Sequence, residues 1–425
     1  MSDEKSPRLP PELVDTIIDH LYDDKESLQA CTLVCKEWVA SSSLHLFAVL
    51  EWPRCSLFKR NACRRKHRGD NTLPACLQAV STCSRLRTAV QELELSTHST
   101  ACTPGGLSKS GAHSPVVLFE ILNMLPRLHT LHLHLSRFHY EPGLESARFL
   151  GSAGLRHVQL FCGVGQWEID LSVLYTIIGK FHRISWLEIS CQHPEAPYFS
   201  GAPIHVPEQL LQVEQLSIRH IDEFITDIIS RLEPIVDLTS TKTLSIPLSS
   251  LIPYVSSFVE RLPNLTSITY QTNGHYTPEA LTRLHLQRIS IWSNYFIWST
   301  NSQELSQPSR QLSQWDDLLR DLEVLVCTNA THLELRLRLQ EYGGLRVPAD
   351  DVFEQLMNFL STQDWERLGH IVQGYTSLET LRLCVSSLKT PPQRLIPALE
   401  LLAFERLPKS VGSLLEISAG ERVSL

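Results

Sequence analysis

A short pattern, apolar-x-x-apolar-x-apolar, recurs from residue 90 almost to the end of this 425-residue chain. Nothing else in the sequence constrains the fold as much. It reads VQELEL from Val90, LHTLHL from Leu128, LRHVQL from Leu155, ISWLEI from Ile184 and VEQLSI from Val213. It returns as TKTLSI from Thr241, LTSITY from Leu265, LQRISI from Leu286, ATHLEL from Ala330, LETLRL from Leu378 and GSLLEI from Gly412. Alternation over the last three positions marks a half-buried strand. Most successive starts are separated by a step near 20–29 residues, and the longer steps leave room for insertions.

Helix-like segments lie between the copies, beginning at Pro115, Asp170, Ile221 and Ser250. Two of them end in Leu-Pro-x-Leu, at Leu125–Leu128 and Leu262–Leu265, where proline stops the helix and the next leucine opens the strand pattern. A strand and helix repeated at this period resemble leucine-rich repeats. The resemblance implies a solenoid in which each unit buries its apolar face on its neighbours, with a parallel sheet on the concave side. The ninth position of that repeat is normally Asn or Cys. Among the first ten copies only Asn273 and Asn294 fit, so the expected solenoid is irregular. An ordinary α/β domain, with parallel strands alternating with helices, is the alternative.

The first fifty residues obey another rule. Pro10 and Pro11 suit a helix start. Leu13, Ile17, Ile18 and Leu21 then form one apolar stripe, and Asp24 or Ser27 can cap a second helix. A second apolar cluster runs from Leu28 to Cys35, with Trp38, Leu46 and Phe47 after it. A unit of about 40 residues has little core of its own, and spare apolar surface marks an interaction site. The order Leu-Pro-x-Glu-Leu, Ile-Ile-x-x-Leu, Leu-Val-Cys-Lys-x-Trp and Leu-x-Leu-Phe resembles an F-box. The resemblance covers about forty residues. It implies docking on the adaptor subunit of a cullin-RING ubiquitin ligase, with Leu9, Pro10, Leu13, Ile17, Leu33, Val34 and Cys35 at the interface and Trp38 bracing the helices from inside.

The expected architecture is therefore α/β: a small three-helix F-box-like unit over residues 1–50, a basic linker over 51–89, and an irregular leucine-rich-repeat solenoid over 90–425. Residues 54–68 carry seven Lys or Arg and no acid, which fits a solvated joining loop, or a nuclear-import or phosphate-binding run. Residues 96–114, 191–207 and 293–314 read as loops inserted in the repeat scaffold.

Composition excludes several classes. The formal net charge of −8 rules out an evenly basic coat for nucleic acid. No apolar stretch approaches membrane-spanning length. The polar opening MSDEKSPRLPPEL reads as neither a secretory signal nor a transit peptide. Eleven scattered cysteines then read as reduced thiols of a cytoplasmic or nuclear protein. There is no G-x-S-x-G elbow, and the run Gly105–Ser110 lacks the glycine that a phosphate loop needs before Lys109. His132 and His134 share one strand face without a third metal ligand. No catalytic set, metal site or cofactor site is expected.

What remains is recognition. On a concave sheet, the fifth and seventh positions of each copy face solvent. Phe161, Arg219, Trp292, Arg336 and Arg382 occupy such positions and are the candidate contacts for a target protein. The expected function is a substrate receptor that holds an unidentified target beside the ligase. A scaffold without a role in turnover is the alternative.

Overall fold

The computed structural model describes residues 9–52, 73–95, 114–134, 154–162, 171–191, 209–219, 225–247, 252–272, 279–282, 284–293, 296–299, 308–326, 329–342, 360–387 and 392–419, with the isolated positions 138, 144, 149, 207, 353–354 and 357–358. The basic run 54–68, the Gly105–Ser110 run, most of the first two expected loops, and Asn273 and Asn294 lie outside the described residues. The chain is α/β and divides into two compact units, one of Met1–Val213 with Pro234–Val236, the other of Glu214–Glu233 with Asp237–Leu425.

The first unit opens with three helices, α1 (Pro11–Asp19), α2 (Lys25–Val34) and α3 (Lys36–Leu46). Val14, Ile18 and Leu28 form their core, with Leu21, Trp38 and Leu46 packed against it. Five parallel strands come next: β1 (Val49–Trp52), β2 (Glu92–Leu95), β3 (Thr130–His134), β4 (His157–Cys162) and β5 (Arg183–Cys191). Their order in the sheet is their order in the chain. The fourth positions of the repeated pattern, Leu93, Leu131, Val158 and Leu187, stand in register and are buried, as are the sixth positions, Leu95, Leu133, Leu160 and Ile189. Helices Pro115–Asn123 and Leu171–Ile178 contribute Leu118, Phe119, Ile121, Leu174, Tyr175 and Ile178 to the core. Phe119, Phe149 and Phe181 meet there with ring centroids 5.0 to 6.5 Å apart, within the range of edge-to-face and tilted aromatic packing.

Of β6 (Leu211–Arg219) the second unit holds Glu214–Arg219, and of the two-residue strand β7 (Val236–Asp237) it holds Asp237; it repeats the scheme with β8 (Thr243–Pro247), β9 (Ser267–Thr272), β10 (Arg288–Ser293), β11 (Phe296–Ser299), β12 (His332–Tyr342), β13 (Thr380–Ser387) and β14 (Leu415–Ala419). The main path runs β6-β8-β9-β10-β12-β13-β14, all parallel. Leu216, Leu244, Ile268, Ile289, Leu333 and Leu381 form its buried row. Helix Pro308–Leu325 brings Trp315 against Trp365 of helix Trp365–Gly374, with ring centroids 5.3 Å apart. The Trp365 indole N–H donates to the Leu360 carbonyl at 2.7 Å, so its one polar atom is satisfied inside the core.

A hydrogen-bond device recurs at the strand entrances. The second residue of a copy offers its carbonyl to the N–H groups of residues two and three of the next. Gln91 O accepts from His129 N and Thr130 N, and Thr331 O accepts from Glu379 N and Thr380 N, all at 2.8–3.1 Å. Ala48 O does the same for Gln91 N and Glu92 N, at 2.8 and 2.9 Å. Residues 47–52 (FAVLEW) are therefore a further copy of the pattern, ahead of the one at Val90. The span 51–89 holds the end of β1 and helices Leu73–Thr82 and Ser84–Ala89. The third expected loop holds β11 and the start of helix Pro308–Leu325.

Candidate functional site

The N-terminal helices carry apolar residues on two sides. Pro10 caps α1, and its carbonyl accepts from Leu13 N at 3.0 Å and Val14 N at 3.2 Å. Asp24 caps α2: its Oδ1 accepts from Glu26 N and Ser27 N, and its Oδ2 accepts from the Ser27 hydroxyl at 2.6 Å. That side-chain bond from Ser27 comes first among the causes holding the Asp24 carboxyl below its usual range. Cys35 is extended, so α2 stops at Val34 and α3 restarts one residue later. Polar pairs tie α3 to α1, with His45 Nε2 2.7 Å from the Asp19 carboxylate and the Ser41 hydroxyl donating to Asp15.

This framework sorts the apolar residues. Val14 and Ile18 point to the core, while Leu13 and Ile17, one residue earlier in each case, stay exposed. Leu9 and Pro10 at the start of α1, and Leu33, Val34 and Cys35 at the end of α2, are exposed as well, Leu33 to 87%. All seven residues expected at an adaptor interface are therefore open to solvent. Burying such a side chain contributes roughly 1.5–3 kcal/mol. Sequence reasoning missed Tyr22, which is 67% exposed just past α1. Its signal was an aromatic at a helix end beside the capping Asp24.

The second candidate surface is the open face of the sheets. In the first unit Glu51, Glu94, His132, Gln159 and Glu188 align across β1 to β5. His132 Nδ1 meets Gln159 Oε1 at 2.6 Å, and Gln159 Nε2 donates to Glu188 at 2.8 Å. His132 Nε2 lies 3.2 Å from Glu92. Partial burial disfavours the His132 cation, yet the Glu92 and Gln159 contacts raise its pKa above the ordinary value. The hydrogen bond from His132 in turn holds the Glu92 carboxyl low. His157 stacks on Trp186 at 4.4 Å. Phe161, a candidate target contact, stands half-buried on β4 of this face, and the side chain of His134 lies outside the described residues.

The other four candidates belong to the second unit. Trp292 and Arg336 are register partners on β10 and β12, and the Arg336 guanidinium lies 4.8 Å from the Trp292 ring centroid. Arg382 on β13 is one row away, paired with Glu416 at 2.8 Å. Arg219 stands on β6, three strands from β10 along the sheet, and its Nε donates to Ser217 at 3.3 Å.

Among the described residues, no three His, Cys, Asp or Glu are grouped to hold a metal ion. Burial pushes the Cys76 thiol up to about 12, and burial also raises Cys384, so neither is an activated nucleophile. The chain matches no family model and no curated protein.

Proposed function

We propose that this chain is the substrate-receptor subunit of a cullin-RING ubiquitin ligase, docking the adaptor through α1–α3 and holding a target protein on an irregular leucine-rich-repeat solenoid. The carrying observation is the outward apolar set Leu9, Pro10, Leu13, Ile17, Leu33, Val34 and Cys35, beside a core of Val14, Ile18 and Leu28 that does not need them. Apolar side chains presented from helices, with charged residues around them, dock by a helix-in-groove mode. The solenoid reading is supported by the strand order and by the carbonyl device that recurs between successive copies in both units. The chain does no bond chemistry in this reading. It acts through proximity, raising the effective concentration of a target lysine near a charged ubiquitin carrier. A cytoplasmic or nuclear site of action belongs to the same proposal. Among the described residues, no helix is long and apolar enough to cross a membrane.

The test is capture of the full chain by purified adaptor. Wild type should be retained, and Leu9→Asp with Leu33→Asp should abolish retention at unchanged melting temperature. No capture of wild type, or equal capture of the variant, removes the reading.

A further inference from the structure

The open face of the second unit differs in chemistry from that of the first. Across β10, β12, β13 and β14 the register builds adjacent rows. Arg288 and His332 stand in one, Ser290, Glu334, Arg382 and Glu416 in the next, and Trp292, Arg336, Cys384 and Ser418 in the third. Arg219 extends the cationic set on β6. Among the described residues four arginines thus stand against two glutamates, and each glutamate is paired locally, Glu416 with Arg382 at 2.8 Å and Glu334 with Arg336. Glu334 accepts from the Ser290 hydroxyl at 2.9 Å and the Cys384 thiol at 3.1 Å, and pairs with Arg336 at 3.0 Å. Partial burial pushes the Glu334 carboxyl up, but these donors hold it below its ordinary range, so it remains an anion that fixes Arg336 in place. Arg336 is held from a second side by Trp292. A guanidinium clamped in this way is ordered before any partner arrives, which lowers the cost of binding. Arg288 stands exposed on β10, and Arg382 is exposed on β13 while paired with Glu416.

We propose that this face, centred on Arg288, Trp292, Arg336 and Arg382, docks an acidic segment of a target protein. The proposal rests on the receptor reading above and states the chemistry of the target. Charge complementarity carries it: the chain bears a net −8, yet the described residues of this face have an excess of cations, in planar forks that match carboxylates. A polypeptide fits better than a nucleic acid. Glu334 and Glu416 interrupt the cationic rows where a phosphate backbone would run, and the Arg336 guanidinium occupies a face of Trp292 that a base would need for stacking. A peptide with spaced acidic side chains can place carboxylates at the arginines and avoid the glutamates. The first unit's face, with Glu51, Glu92 and Glu94 on its strands, would repel the same segment.

The experiment is fluorescence anisotropy of the full chain with a labelled random glutamate–tyrosine copolymer, with polylysine and an oligothymidylate as comparators. Wild type should bind the copolymer most tightly, and binding should weaken as salt rises. Arg288→Glu with Arg382→Glu should weaken it by about tenfold or more, and the milder Arg288→Gln with Arg382→Gln by less, both at unchanged melting temperature. Leu33→Asp, which tests adaptor docking, should leave copolymer binding unchanged, so failure of one reading is separable from failure of the other. Tighter binding of oligothymidylate or polylysine, no copolymer binding, or equal binding by the arginine variants overturns the proposal.

Discussion

His132 on β3 lies 3.2 Å from Glu92 on β2, a pairing between neighbouring strands that ties one patch of the first unit to pH. The folded pKa of His132 is raised, so its contribution is complete below the unfolded value near 6.5 and disappears as pH climbs through the folded value. Glu92 is depressed, so its contribution holds above about 4.5 and is lost as pH falls through its lower folded value. The pair therefore stabilises most in mildly acid solution, where both groups are charged. His132→Gln should lower the melting temperature more at pH 5.5 than at pH 8. Thermal scans at both values check this, and an equal loss at the two contradicts it.

The two sides of the N-terminal helices should respond differently to substitution. Ile18 is fully buried, and Ile18→Ala should cost about 2–5 kcal/mol, as a large-to-small core change does. Leu33→Asp, at 87% exposure, should change stability by no more than about 0.5 kcal/mol. Denaturant titrations of the two variants measure the contrast. Adaptor capture should take the reverse order once the folded fractions are matched.

Glycine at 369 is a packing requirement. A Cβ there would collide with the Pro408 ring, whose Cγ is 3.0 Å away and which has no rotamer to yield. Gly369→Ala should cost about 1–3 kcal/mol in overpacking, more than the roughly 1 kcal/mol that helix propensity returns. At Gly412 nothing lies within 4 Å, so Gly412→Ala should be neutral or stabilising by up to about 1 kcal/mol. Melting curves for the two variants should shift in opposite directions, or leave the second unmoved.

Much of the α/β architecture was legible because strand and helix periods alternate over a long chain. Leu93, Leu131 and Val158 could be aligned from sequence alone, and the parallel register matches that alignment. The copy at Phe47 escaped because its residues also close the helical segment, and a short apolar run does not say which element owns it. β11 escaped because FIWS sits in a Ser- and Gln-rich stretch that reads as loop. On α1, helical spacing made Leu13, Ile17 and Ile18 one stripe, and only packing shows that Ile18 turns inward and Leu13 outward. Trp292 and Arg336 are both seventh positions of their copies, so each was visible as a candidate. Their contact depends on β10 lying directly beside β12, a neighbour relation that spacing alone does not fix.

The junction between α3 and β1 has a mechanical meaning. Only Phe47 and Ala48 separate the helix from the strand, and the Ala48 carbonyl is tied to both Gln91 and Glu92. A twist applied to α3 is therefore passed to the first strand with almost no slack, as through a stiff coupling rather than a tether. In the ligase reading, the first strand would stand at a set angle from the adaptor-bound helices. Six Gly-Ser residues inserted after Phe47 should leave adaptor capture intact and lower the rate of ubiquitin transfer to a bound target. Unchanged transfer would mean that reach, and not aim, is what the ligase needs from this chain.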